Sequence, residues 1–440
     1  MEEEHKPREQ APFPTSNSPT AAARSGLSGR GNWQWRLLVL LAIAGVLVSG
    51  VGFTRMSGND PTVYRNDFNV FYFASQEVIA GRTPYAQSLG AWTPYLYPPL
   101  LAEILTPIAM LPLPAAAYIW FLINVASLIA AAVMSGALSA KASVDDRPEV
   151  NDQTAAKRIA LTAAAAGTFV VTRFVLDNLA MGQVNLLTTA LSMAHVYFFV
   201  RHKRVASAAA LALAVSIKLT PAILIFYHVA RGRLKFAAAC AALSATLVFV
   251  SFAPFGAKAG SAFETFVDRT VRNGQGYDLA FEGNQSLRGF EARARSETGD
   301  AARLPGSPFT LMASLVLLVI GIAASARRSV EEPAAAGLFL ALAPLISPLS
   351  WKSHFVVMLL PAAILAREAV RSNGWRRITA VAATSIGLVL FNLTSPRLIG
   401  ISAARWIEEH SLIMGAAILM FFAVAVLCLL SSQSARSDEV

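Results

Sequence analysis

The sequence predicts an all-α polytopic membrane protein, and its composition and the spacing of its charges predict it. Of the 440 residues, 55% are hydrophobic and only 15% charged, and the mean hydropathy is +0.50, which excludes an ordinary soluble enzyme. The apolar residues are gathered in runs of bilayer-crossing length, separated by short loops in which Lys and Arg cluster. The formal charge of +10 therefore reads as a topology signal, and no nucleic-acid partner is expected. Cys240 and Cys428 each lie inside an apolar run and indicate neither a disulfide framework nor a zinc site.

In chain order, residues 1–35 are expected to be a disordered cytoplasmic tail, rich in Pro, Ser, Glu and Arg and poor in large apolar side chains. The transmembrane domain occupies 36–431, with external loops at about 54–100 and 254–308, and residues 432–440 form a cytoplasmic tail. A span takes about 20 apolar residues, fewer where neighbours shelter its ends, and on that measure the chain has about 12. The first, Leu37 to Phe53, follows Arg24, Arg30 and Arg36, which places the N-terminus in the cytoplasm. The run from Leu101 to Leu138 is long enough for an interfacial or re-entrant piece up to Pro114 and then a full helix. Ile159–Val175 and Val184–Val200 follow. Val205–Ile217 and Pro221–Ala230 are both short and meet at Lys218-Leu219-Thr220-Pro221. Phe236–Phe252 leads into the longest polar insertion, Pro254 to Pro308. Phe309–Ala326, Ala334–Leu349, Phe355–Leu365, Ile378–Leu393 and Leu412–Leu430 complete the set. Every short loop placed in the cytoplasm carries basic residues, so the count is self-consistent.

The stretch from Asn66 to Pro99 is too polar to span and too apolar for a solvated linker. Asp67 heads an amphipathic run of Phe68, Phe71, Tyr72, Val78 and Ile79, which suits an interfacial helix. By parity Asp67, the Gly182-Gln183-Val184-Asn185 segment, Lys218, the Asn284-Gln285-Ser286 loop and Trp351 to His354 fall on one external face. Polar residues gathered at one membrane surface from distant loops are how an active site on a helical scaffold looks.

Each candidate has a chemical and a structural reading. Asp67, partly desolvated by Phe68 and Tyr72, can act as a general base or as a helix N-cap. Lys218, at a break between short helices and before a proline, suits a phosphate or snorkels to the interface. His354, after Trp351 and Lys352, can bond a phosphate, orient a carboxylate, or serve structure alone. Gln183 and Asn185 can hold sugar hydroxyls or pair neighbouring helices. Asn284, Gln285, Ser286 and Arg288 share a donor-rich loop whose guanidinium can fork onto a phosphate. Arg269, Arg272 and Arg293 are read as meeting anionic lipid headgroups. His5, His195, His202, His228 and His410 show no ligand spacing. No Walker loop, dinucleotide fingerprint or HExxH motif is present.

Taken together these segments resemble glycosyltransferase family 87, the DUF2029 membrane proteins that include mycobacterial polyprenol-phosphate-mannose-dependent alpha-mannosyltransferases. The resemblance runs from about residue 60 to 360. It is carried by Asp67-Phe68 with Tyr72, Gly81 and Pro84-Tyr85, then Tyr97-Pro98-Pro99, GQVN at 182–185, KLTP at 218–221, NQSLRG at 284–289 and SPLSWKSHF at 347–355. It implies a C-type glycosyltransferase fold in the cell membrane, with Asp67 as the catalytic base and an extracytoplasmic site. Tyr97 and Trp351 enter the site through these motifs, as substrate-binding residues beside Lys218, Gln183, Asn185, Asn284, Gln285, Ser286 and Arg288, with His354 catalytic. The family often has two adjacent histidines after the tryptophan, whereas here Ser353 precedes His354. The implied partners are a polyprenyl-phosphate-sugar donor, with mannose as the sugar the family implies, a glycolipid or glycan acceptor, and membrane lipids. Nothing in the sequence requires a metal or other cofactor, although Asp60 and Asp177 are further carboxylates of the same region. A transporter or flippase of lipid-linked sugars would use similar residues without bond chemistry, and a structural envelope subunit would leave the polar loops without a role.

Overall fold

The structure, a computed structural model, describes residues 44–55, 66–86, 94–145, 153–272, 278–296 and 307–430. The chain divides into two compact units, residues 1–51 and 52–440. In the first, residues 44–51 are helical. The second opens with helical residues 52–55 (α1) and contains everything that follows. The tails expected at 1–35 and 432–440 lie outside the described residues, as do Asp60 and parts of both long loops.

Among the described residues the chain is helical, apart from turns and an isolated backbone bridge between Asn284 and Trp351. The amphipathic run after Asn66 forms α2 (Asp67–Ile79). The long run after Pro99 begins with two short helices, α3 (Leu100–Ile104) and α4 (Thr106–Ala109), and then becomes α5 (Leu113–Asp145), matching a short piece followed by a full helix. Next come α6 (Gln153–Val170), α7 (Thr172–Met181), α8 (Asn185–Val200), α9 (Arg204–Ile217), α10 (Ile223–Ala230) and α11 (Leu234–Val250). The insertion carries α12 (Ala259–Val267) and α13 (Leu287–Ala294). The C-terminal part is built from α14 (Pro308–Ser325), α15 (Glu332–Ile346), α16 (Leu359–Arg371), α17 (Gly374–Asn392), α18 (Pro396–Ile399), α19 (Ile401–Glu409) and α20 (Leu412–Leu430).

Among the described residues four helical segments are long and apolar enough to cross a bilayer: Leu113–Ala140, Pro308–Ser325, Lys352–Arg371 and Leu412–Leu430. The number is up to six if two bent pairs are each one span, Ala156–Val170 with Thr172–Met181 (65°) and Leu234–Val250 with Ala253–Thr270 (67°). Asn185–Val200, Arg204–Ile217, Thr220–Ala230 and Glu332–Ile346 are apolar but shorter. The run Leu37 to Phe53 begins outside the described residues, and α17, the run Ile378 to Leu393, carries Arg376 and Arg377 inside its first turns.

Helices α15 and α16 form the centre. α15 is apolar on nearly every side and buried along almost its whole length, and α16 is buried from Leu359 to Glu368, as helices surrounded by other helices are. Around them pack α5, α6, α8, α10, α14, α17 and α20. On the outside, α14 exposes Leu311, Met312, Leu315, Val316 and Val319, a surface suited to lipid chains. Close helix approach relies on small residues: a Cβ added to Gly167 of α6 would lie 2.8 Å from the Leu359 carbonyl of α16.

The N-terminal end of α15 is pinned by ions. Glu332 pairs with Arg231 (3.0 Å) and Arg233, while Arg367 pairs with Glu331 (2.6 Å) and Glu368 (2.8 Å). The 15 residues of α15 put its other end roughly 22 Å away at 1.5 Å per residue. That end carries the cavity described next.

Candidate active site

Helix α2 places Asp67. Asn66 is extended (φ −162°, ψ 169°) and its Oδ1 accepts the Asn69 N–H at 3.0 Å. Asn66 is therefore the N-cap, and the capping alternative for Asp67 is corrected: the carboxylate sits one residue inside the helix. The apolar face of α2 is fixed by aromatic contacts, with Phe68 stacked on Trp120 (5.9 Å between centroids) and Phe71 edge-on to Tyr97 (5.2 Å). Tyr72 donates to the Leu111 carbonyl at 2.9 Å, tying α2 to the turn after α4.

The GQVN segment begins where α7 ends. Gly182 closes α7 in the left-handed region (φ +61°), and its carbonyl accepts the Trp120 indole N–H at 2.7 Å. A Cβ there would come 2.6 Å from the Phe53 ring and 2.8 Å from Phe68. Glycine thus meets both demands, reversing the chain and admitting the aromatic residues that seat α2.

The break at KLTP places Lys218. Helix α9 stops at Ile217, Lys218 is extended (φ −152°, ψ 131°), and Pro221 opens a short turn leading into α10. The ammonium reaches back to Asn185 Oδ1 (2.6 Å) and to His354 Nε2 (3.0 Å), with Nζ 5.8 Å from the Tyr97 ring centroid. Asn185 Nδ2 donates to Gln183 Oε1 at 2.6 Å, and the Ser353 hydroxyl donates to the same oxygen at 2.9 Å. Asn178 of α7 closes the circuit by donating to the Ser353 carbonyl at 2.8 Å. Motifs far apart in the chain thus become one hydrogen-bonded network. Ser353 has a definite use in it, which the departure from a histidine pair did not reveal. While Lys218 is protonated, His354 Nε2 must accept, so the ring proton resides on Nδ1, a buried atom.

These residues open onto a cavity of about 410 Å³. Asp67, Tyr97, Gln183, Lys218, Trp351 and His354 all line it. Its apolar wall comes from Leu219, Ala222, Ile223 and Phe226, which fall on one face of the turn and of α10, and from Ala343 and Ile346 of α15. Leu219 and Phe226 are themselves exposed, so this wall is open rather than packed. Burial pushes the Lys218 ammonium down to about 7, against the pull of the Asp67 carboxylate. Behind Lys218 and His354 lies a water-sized cavity of about 30 Å³, lined by Asn185, Thr188, Ser192, Ser350 and Pro344. Pro344, inside α15, has no N–H to give the Leu340 carbonyl, and Leu340 lines the same space.

The NQSLRG segment is placed differently. Asn284, Gln285 and Ser286 are fully buried, and none of them lines the larger cavity. Asn284 Nδ2 donates to the Leu279 and Pro348 carbonyls (3.1 Å each), and its Oδ1 accepts the Ser350 N–H at 3.0 Å. Gln285 Nε2 donates to the Glu282 and Glu408 carbonyls (2.7 Å each), and Ser286 caps α13 by accepting the Gly289 N–H at 2.9 Å. The loop thus braces the Pro348–Trp351 segment, and Trp351 both lines the cavity and packs edge-on against Phe281 at 5.7 Å. Arg288 is buried with Nη1 3.9 Å from Glu291, also away from the cavity. Arg293, read as meeting lipid headgroups, instead donates inward to the Phe281 (2.9 Å) and Asn284 (2.8 Å) carbonyls. Asp177 pairs with Arg173 at 2.9 Å and does not line the cavity. The guanidinium that does line it is Arg269, with Thr270 beside it. Nothing in the local sequence separates Arg269 from the other arginines of the insertion.

A bundle of apolar helices around a cavity that holds a carboxylate, an ammonium and an imidazole is an integral membrane protein equipped for catalysis. The chain belongs to glycosyltransferase family 87, whose profile matches residues 95–348. It is similar to a Mycolicibacterium smegmatis protein named polyprenol-phosphate-mannose-dependent alpha-(1-2)-phosphatidylinositol mannoside mannosyltransferase. The two are 30% identical over 371 residues, covering 81% of this chain and 80% of that protein. A Mycobacterium tuberculosis protein of the same name is 30% identical over 389 residues, 84% of this chain and 82% of its own.

Proposed function

We propose that this glycosyltransferase moves mannose from a polyprenyl phosphomannose donor to a hydroxyl of a phosphatidylinositol-mannoside-type glycolipid, on the extracytoplasmic face of the cell membrane and with inversion. The observation that carries the reading is that Asp67 and Lys218 line one cavity, with His354 hydrogen-bonded to Lys218. The names of the relatives support the donor and the acceptor class. The apolar wall along the turn and α10 suits a polyprenyl chain.

In this mechanism the donor phosphate lies beside Lys218 and His354. Asp67 takes the proton from the acceptor hydroxyl, whose oxygen forms a bond to the anomeric carbon. The bond from that carbon to the phosphate oxygen breaks, and polyprenyl phosphate leaves with the electron pair. The ammonium stabilises charge that grows on the leaving oxygen, an interaction stronger in the transition state than before it. Single displacement turns a β-linked donor into an α-linked product. We place this chemistry on a C-type glycosyltransferase fold of about 12 helices crossing the membrane, several of them too short to span without shelter from neighbours.

The test is transfer of label from radiolabelled polyprenyl phosphomannose to a glycolipid acceptor in membranes of matched expression. Asp67→Asn is expected to lower the rate by about 10²- to 10⁴-fold, the usual worth of a general base, while donor binding persists. Equal transfer by wild type and variant would overturn Asp67 as the base. Donor movement across the bilayer without transfer would instead favour a carrier.

A further inference from the structure

Arg269 holds a guanidinium in the cavity wall that the mechanism above does not use. It lies in the π-helical turn Asp268–Arg272 that follows α12, an irregular form that recurs at functional sites. Part of the group is engaged: Nη2 donates to the Tyr85 carbonyl at 3.3 Å, and Cζ lies 5.8 Å from the Tyr85 ring centroid. The platform is rigid. Tyr85 is buried, its hydroxyl donates to the Tyr97 carbonyl at 2.8 Å, and its ring packs on Phe252 (6.5 Å) and Phe266 (6.4 Å). The Thr270 hydroxyl donates back to the Phe266 carbonyl at 2.6 Å and holds the turn. Nη1, by contrast, is shielded from solvent and has no hydrogen-bond partner among the described residues.

A guanidinium stays charged and offers a planar fork of donors, so a cavity-wall arginine whose covered Nη1 is unmet can complete a charge-assisted contact with a ligand that seats against it and displaces its cover. Its complement is an oxyanion, and for an amphiphile entering along an apolar wall that oxyanion is a phosphate. Lys218 meets only part of that need. Its ammonium is already bonded to Asn185 and His354, and the Asp67 carboxylate offsets its charge. We propose that Arg269 is a second phosphate-recognising pole of the cavity, borne on a different element from Lys218. The inference rests on the lipid-phosphate reading of the site. The phosphate belongs either to the polyprenyl donor or to a glycerophospholipid acceptor, and the experiment separates them.

The experiment measures binding of polyprenyl phosphate and of phosphatidylinositol to the full-length protein in detergent, and KM for donor and acceptor, in wild type, Arg269→Gln and Arg269→Lys. Arg269→Gln is expected to weaken one lipid by about tenfold, with Arg269→Lys intermediate because it keeps the charge and loses the fork. The effect should appear in KM for the same lipid. Loss confined to polyprenyl phosphate assigns the pole to the donor, and loss confined to phosphatidylinositol assigns it to the acceptor. Unchanged affinity for both lipids in a variant that melts like wild type overturns the proposal. Should Arg269→Gln fail to fold, unchanged affinity in Arg269→Lys overturns it equally. A wild type that binds a lipid phosphate through Arg269 yet transfers sugar from no donor would sustain this pole while sinking the transferase reading.

Discussion

Lys218 is the residue whose environment makes the sharpest solution prediction. Burial holds its ammonium down to about 7, so it is charged below that pH and neutral above. A phosphate favours the charged form, so above about pH 7 donor binding must draw a proton from solvent. Donor KM is then expected to rise with pH from about 7, approaching tenfold per unit until the lysine in the complex itself titrates, as linkage of one proton requires. Lys218→Arg, charged throughout, should flatten that limb; a pH series of donor KM in both proteins checks it. Residue identity was legible here because a lysine and a proline between two short apolar runs have few uses. It was not legible for Asn284, Gln285 and Ser286, because an amide that bonds the Pro348 carbonyl looks in sequence like one that bonds a sugar hydroxyl. Arg288 and Arg269 posed the same difficulty. Both lie in an insertion without a sustained period, and only the fold sends Arg288 to Glu291 and Arg269 to the cavity.

At the scale of the element, α2 separates anchoring from chemistry. Asn66→Ala removes the cap and is expected to cost about 1 kcal/mol, a fall of a few degrees in melting temperature, with transfer largely kept. Asp67→Asn should do the reverse, keeping the melting temperature and losing transfer, so the pair distinguishes the two neighbours. The turn between α7 and α8 is stricter. Gly182→Ala meets a left-handed backbone worth roughly 1–2 kcal/mol and also collides with Phe53 and Phe68, so both stability and transfer should fall. Thermal unfolding alongside the transfer assay reads all three variants. The helices themselves were readable from apolar runs, and the division of the Leu101–Leu138 run into short pieces and a long α5 was readable from its length and prolines. The ends were less so: the bend of 65° between α6 and α7 carries no proline or glycine at the break, and tertiary packing sets it.

Across the whole molecule, the ion network and the cavity occupy the two ends of α15, and the proposed topology puts the first in the cytoplasm and the second outside. Cys240 and Cys428 are both buried, so an added surface cysteine reports cleanly. In intact cells a membrane-impermeant maleimide should label Lys258→Cys in the insertion, and should label Arg328→Cys after α14 only once the membrane is opened. The opposite pattern would invert the topology. Composition made the bundle legible, since so apolar a chain has no other way to satisfy its backbone in lipid. The convergence of distant loops on one cavity is a property of packing that no local stretch contains. That convergence has a consequence for biogenesis. Lys218 meets Asn185, 33 residues earlier, as soon as it is made, but His354 lies 136 residues further on. At about 5–20 residues per second of synthesis, roughly 7 to 27 seconds separate the lysine's arrival from that of its second partner. Through that interval the membrane holds a nascent chain with its cation half-satisfied, and a ribosome stalled before residue 354 would leave a well-anchored bundle whose pocket has not yet been closed.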